Sequence, residues 1–209
     1  MKIKTWGFAP IMMAAVLAVT SAAAQTVDKK APDALVKHAV ESVIASVKTD
    51  PAARGGDLGR VTQIVEQKFL PYADFEHTTR LAVGSAWKDA TPAQQKQLFE
   101  QFKTLLVSIY ATQLMQVRDQ DVKFQYKPFN AVAGATDAVV QTHMLNNGDD
   151  MEVGYRLSKT PSGWKIYDIS MLGAWLIQVY RQQFAEQIAR GGIDGLVKFL
   201  TAHNARQAG

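Results

Sequence analysis

The sequence predicts an α+β protein with a helical N-terminal half, a curled antiparallel four-stranded sheet and C-terminal helices. Three observations carry that assignment. Apolar side chains recur at three- and four-residue spacing through the first half of the chain. The period drops to two after Arg118. Helical spacing returns from Trp175 until Gly191 and Gly192 stop it. Helices followed by a run of short strands favour a sheet curled around helices, which leaves room for a pocket.

The first helix is expected over residues 31–50, with Pro32 and Asp33 in its first turn and Leu35, Val36, Ala39, Val40, Val43, Ile44 and Val47 on one face. Asp50, Pro51 and the stretch 54–56 break it. A second helix follows over residues 57–69, with Leu58, Val61, Ile64 and Val65 turned inward, and ends before Pro71. Asp74 is placed to cap a short helix that Gly84 closes, because glycine adopts the left-handed conformation found at many helix ends. Thr91, Pro92 and Gln94 then combine an N-cap, a proline at the first helical position and a capping box. The helix they open carries Leu98, Phe99, Phe102, Leu105, Leu106, Ile109, Tyr110 and Leu114 as a stripe that must be buried against something.

Four strands are expected near residues 121–127, 136–145, 150–158 and 164–169, most simply as an antiparallel meander. Val122, Phe124 and Tyr126 alternate with Lys123, Gln125 and Lys127; Met151, Val153, Tyr155 and Leu157 alternate with Glu152, Gly154, Arg156 and Ser158. Asn147 and Gly148 mark a hairpin, since both tolerate the positive φ that a two-residue turn requires. A last helix over residues 175–190 offers Leu176, Val179, Tyr180 and Phe184, and a short helix follows near 194–202.

The ends and the composition bound the compartment. Lys2 and Lys4 precede an apolar run from Trp6 to Val19, and Ala22 and Ala24 occupy the small-residue positions of a cleavage site before Gln25. Residues 1–24 are therefore expected to be a secretory signal peptide. A membrane anchor is the weaker alternative, because the run is shorter than the ~20 apolar residues of a spanning helix and Pro10 interrupts it. Cleavage leaves residues 25–209 as a single domain of 185 residues with formal charge +2. The chain has no cysteine, so neither a disulfide framework nor a lipoprotein anchor is available. No Lys/Arg run is dense enough for a nucleic-acid groove.

One segment is more specific than helical packing requires. Pro71, Asp74, Phe75, Arg80, Gly84, Trp87, Ala90, Thr91 and Gln94, continuing into Phe99, Phe102, Leu106 and Tyr110, resemble the motif of the periplasmic phospholipid-binding MlaC family, also described as toluene-tolerance auxiliary proteins. Trp164, Ile166, Asp168, Ile169, Gly173, Leu176, Tyr180, Arg181 and Phe184, then Gly192 and Leu196, resemble the same family's C-terminal half. Where that family usually reads G-V-S-L and an Asn before Tyr-Arg, this chain has Gly173, Ala174, Trp175, Leu176 and Val179. Trp175 thus bears on the local fit of a ligand. Asp74 and Arg80 are expected to form an ion pair within the motif.

Catalytic or metal chemistry has little support in the residues. His38, His77, His143 and His203 lie apart, with no H-x-x-x-H or H-E-x-x-H spacing, and there is no nucleophile elbow, P-loop or dinucleotide fingerprint. Neither catalytic residues, nor a metal, nor a cofactor is expected. The candidate site is the apolar strand face: Val122, Phe124, Val140, Met144, Val153, Tyr155, Leu157, Trp164 and Ile166. Alternation alone favours a filled core over a ligand site, because it gives the buried side and not its occupant. The family resemblance implies a cavity for phospholipid acyl tails, extended by Leu106, Tyr110, Leu172 and Leu176, in a scaffold NTF2-like in general architecture. It also implies a monomeric periplasmic shuttle with phospholipid as cargo, and as partners an outer-membrane lipoprotein complex and an inner-membrane ABC transporter carrying an MCE-domain protein. An NTF2-like small-molecule enzyme and a non-catalytic protein-binding module are the alternatives.

Overall fold

Helix boundaries follow from local chemistry in the computed structural model, which describes residues 31–207 except 128, 131 and 133, and leaves the side chain of Val117 undescribed. The expected signal peptide lies outside the described residues. Helix α1 (Pro32–Thr49) ends at Asp50, whose carboxylate accepts hydrogen bonds from the Ala52 and Ala53 N–H groups and so opens a single turn, α2 (Pro51–Arg54). Asp57 caps α3 (Leu58–Lys68) through the Arg60 N–H, and Asp74 caps α4 (Phe75–Val83) through the His77 N–H at 2.9 Å. Gly84, at φ 72°, closes α4 as expected. The capping box opens α5 (Pro92–Val117): the Gln94 N–H donates to Thr91 Oγ1, and the Thr91 N–H donates back to Gln94 Oε1 at 2.9 Å.

The sheet has five antiparallel strands where four were expected: β1 (Lys123–Tyr126), β2 (Asp137–Asn146), β3 (Asp149–Thr160), β4 (Gly163–Met171) and β5 (Ala174–Trp175), paired in chain order. The extra strand is two residues long and follows a turn through Leu172 and Gly173, which carries no Asn-Gly or Asp-Gly signature. Asn147 and Gly148, at φ 50° and 96°, make the expected β2–β3 turn. Between Arg156 and Leu157 the β3–β4 register shifts: Leu157 faces Ile166 while Arg156 faces Asp168. Tyr167 is therefore the extra residue of a bulge. Its carbonyl accepts the Thr78 hydroxyl at 2.6 Å, and the neighbouring Ile166 carbonyl accepts the Asp74 N–H at 2.8 Å, so α4 satisfies the backbone the bulge exposes.

Helix α6 (Leu176–Gln207) contains non-helical dihedrals at Gly191 and Gly192, where the sequence places the break between two helices. Arg181 Nε and Nη2 both donate to the Leu81 carbonyl, binding α6 to the end of α4. Three packed clusters result. Leu35, Val36, Ala39 and Val40 of α1 pack on Ala138, Val140, Leu157 and Ile166 of the sheet. Ala82, Val83, Leu98, Phe102, Phe184, Leu196 and Leu200 join α4, α5 and α6, with the Phe102 ring 4.9 Å from Tyr180 and 5.0 Å from Phe184. Val43, Val47, Val61, Ile64, Val107 and Ala111 join α1, α3 and α5. Helix α5 is about 39 Å long at 1.5 Å per residue. It packs on α3 and α6 and scarcely on the sheet. A gap is left between its C-terminal half and the strands.

Candidate functional site: an apolar cleft between helices and sheet

The inward sheet face is built of cross-strand rows. Ala138, Leu157 and Ile166 form the row covered by α1; Val140, Tyr155 and Ile169 form the next; Tyr126, Thr142, Val153 and Met171 the third; Phe124, Met144 and Met151 the last. The first row is filled core, with Leu157 and Ile166 almost wholly buried against α1 and its surroundings. Beyond it the helices diverge from the strands. A cleft of about 420 Å³ opens there, within the roughly 300–1,000 Å³ usual for small-molecule sites.

The sheet contributes Phe124, Met144, Met151, Val153, Tyr155, Ile169 and Met171 to this cleft. Helix α1 adds Val40, Val43 and Ile44, α3 adds Val65, and Phe69 follows it; α5 supplies Tyr110, Leu114 and two glutamines, Gln113 and Gln116. None of these lining residues is Asp, Glu, Lys, Arg or His. Burial pushes the Tyr110 and Tyr155 phenols well above the ordinary tyrosine value, so both stay neutral at physiological pH. Gln113 and Gln116 are exposed and mark the solvent side. A second hollow of about 40 Å³ shares Val65, Phe69, Tyr110 and Ile169 and continues toward Leu106, Ile166, Asp168 and Leu176.

Of the residues expected at the site, Tyr110, Phe124, Met144, Val153 and Tyr155 line the larger cleft, and Leu106, Ile166 and Leu176 line the smaller hollow. Five lie elsewhere. Val140 and Leu157 are core under α1, Trp164 packs against that same core, and Val122 is buried ahead of β1 without lining either space. Leu172 is 74 % exposed in the β4–β5 turn. Trp175 does not touch the cleft either: its ring lies 3.8 Å from the Arg156 guanidinium and covers Gly154, both out of phase with the inward rows. The expected Asp74–Arg80 ion pair is absent: Asp74 caps α4 through the His77 N–H, and Arg80, six residues on, is not at the three- or four-residue spacing that brings side chains of a helix together.

Several lining residues carried no distinguishing sequence signal. Val40, Val43, Ile44 and Val65 read as an ordinary helical core stripe, and Gln113 and Gln116 as solvated surface. Met151 was legible, since it shares the inward phase of its strand, whereas Ile169 and Met171 were not, because the bulge at Tyr167 turns them inward out of step with Trp164 and Ile166.

Below the site, Asp168 joins sheet to helix. Its Oδ1 accepts the Ile177 and Ile169 N–H groups, each at 3.0 Å, and its Oδ2 accepts Arg156 Nη1 at 3.1 Å. Burial raises its carboxyl above the ordinary value despite these bonds. Among the described residues no group of three or more His, Cys, Asp or Glu is placed to hold a metal, and no helix is long and apolar enough to cross a membrane.

A half-open α+β cup with an uncharged, mostly aliphatic and aromatic interior is a receptor architecture for an apolar ligand. The family model described as MlaC protein matches residues 37–202, and the chain belongs to that family. It is similar to the intermembrane phospholipid transport system binding protein MlaC of Haemophilus influenzae, 21 % identical over 89 % of this chain and 86 % of that one. It also resembles the toluene tolerance protein ttg2D of Pseudomonas putida, 29 % identical over 51 % of this chain and 49 % of the relative, so that match spans about half of each. A solved structure of the phospholipid-binding protein from Ralstonia solanacearum in complex with a phospholipid is 48 % identical, with TM-score 0.80, and aligns over 85 % of this chain and 98 % of that one.

Proposed function

We propose that this chain, after removal of residues 1–24, is a soluble periplasmic phospholipid carrier whose single domain, residues 25–209, holds acyl tails in the cleft between α5 and the sheet. It acts as a monomer that shuttles lipid between an outer-membrane lipoprotein complex and an inner-membrane ABC transporter with an MCE-domain protein, and so serves outer-membrane lipid asymmetry. The supporting observation is the uncharged cleft of about 420 Å³ in a chain 48 % identical to a protein solved with a phospholipid.

Energetics give such a carrier its reason. At about 0.8 kcal/mol per CH₂, two chains of roughly 15 methylenes would lose on the order of 24 kcal/mol on entering water, so unassisted crossing of the periplasm is negligible. A cleft that replaces most of those contacts makes transfer between membranes nearly balanced. Met144, Met151 and Met171 suit cargo of mixed chain length, because unbranched thioether side chains adapt to irregular apolar surfaces.

Val153→Glu tests the reading. Val153 is 4 % exposed at the middle of the lining. In a filled core the carboxylate would cost several kcal/mol or force its own protonation. In a tail-sized cleft water enters and solvates it. The expected result is a cooperative melt and intact secondary structure, with co-purified phospholipid and vesicle-to-vesicle transfer lost. Glu152→Gln, on the opposite strand face, should leave both unchanged. Normal lipid loading by a folded Val153→Glu protein would exclude this face from the lipid site.

A further inference from the structure

We infer that Gln113 and Gln116 form the anchoring subsite for the polar junction of the cargo, the ester and phosphate oxygens between tails and head group. This rests on the carrier reading above and adds to it where, and by what chemistry, the ligand is oriented.

Every other residue of the larger cleft is aliphatic, aromatic or a methionine, and its two tyrosines are more buried than the glutamines. The glutamines lie three residues apart, so they share one face of α5, one turn beyond Tyr110, which reaches both the cleft and the smaller hollow. Polarity therefore changes in one direction along the helix, from fully apolar at Leu106 to solvent-exposed amides at Gln113 and Gln116. At 1.5 Å per residue, Leu106 and Gln116 stand about 15 Å apart along the axis. An amphiphile matches that gradient in only one orientation, tails toward Leu106 and oxygens at the glutamines. No hydrogen bond within the described protein occupies either amide, so each carries two N–H donors for ester or phosphate oxygens. Being neutral, they hold the junction by hydrogen bonds without reading head-group charge.

Single variants Gln113→Glu and Gln116→Glu, loaded from vesicles of equimolar phosphatidylethanolamine and phosphatidylglycerol and read by native mass spectrometry, test this at low salt. Thr104→Glu is the control: it is exposed on the same helix, lines neither space and stands nine residues before Gln113, about 14 Å along the axis, so it adds the same charge away from the proposed contact. Wild type and Thr104→Glu should carry the two lipids in nearly the vesicle ratio. Each glutamate variant should shift against the anionic lipid by about threefold, the scale of a solvent-exposed charge contact, and the shift should fade in high salt. Gln113→Met/Gln116→Met, which keeps side-chain length and removes the donors, should melt normally and load less of both lipids. Wild-type ratios in both glutamate variants, or an equal shift in Thr104→Glu, would overturn the subsite while leaving the carrier reading standing. A folded wild type that takes up neither lipid overturns both.

Discussion

Leu172 adopts φ 51° with 74 % of its surface exposed, which places a bulky side chain in the left-handed region that disfavours L-residues and gives it no packing in return. Asparagine tolerates that conformation better because its short amide bonds locally. Leu172→Asn should therefore raise stability by about 0.5–1 kcal/mol in urea melts. Lipid loading should be unchanged, since the side chain lines neither space. A destabilised variant would mean that the leucine makes contacts worth more than the backbone strain. The same residue shows why the site was only partly legible. Leu172 stands between Met171, which does line the cleft, and Leu176, which lines the smaller hollow, and nothing in Leu-Gly announces the tight turn that throws it outward. Asn147-Gly148 announces its turn clearly because both residues suit positive φ.

At the scale of elements, Asp168 connects β4 to the first turn of α6 through the Ile177 N–H, and to β3 through Arg156. Because burial raises its carboxyl pKa in the fold, the native state binds this proton more readily than the unfolded chain. The group's contribution is thus most favourable in acid. It declines as pH rises through the ordinary carboxylate value near 3.8 and then the raised folded value. Asp168→Asn keeps an acceptor for both N–H groups and removes the titration. The stability difference, wild type minus variant, should shrink from pH 3.5 to pH 7 in urea unfolding. A difference that grows over that range would show that Arg156 and the N–H donors outweigh burial. Element boundaries themselves were largely legible. Asp57, Asp74 and the Thr91–Gln94 box satisfy orphan N–H groups where the sequence places helix starts, whereas Asp50, expected only to break α1, also caps the single turn α2. The β4–β5 strand pair was missed because two residues cannot display a period.

For the whole molecule, the decisive feature is where side chains stop meeting. Alternation identified the inward face of β2 and β3, and of β4 as far as the bulge at Tyr167, yet Val140 and Leu157 prove to be core while Met144 and Val153 border open space. That division depends on α1 lying over one end of the sheet while α5 leans toward α3 and α6, a relation between elements distant in sequence that no single strand encodes. The lining residues of α1 and α3 were hidden for the same reason, since a helix face turned to a cleft and one turned to a core have the same composition. Native mass spectrometry of the mature chain, purified without detergent, tests the occupant of the cleft most directly. A phospholipid there predicts a folded monomer carrying added mass that organic extraction resolves into phospholipid of mixed acyl length. A folded protein that is consistently lipid-free, and that takes up none when mixed with phosphatidylethanolamine and phosphatidylglycerol vesicles, would contradict it.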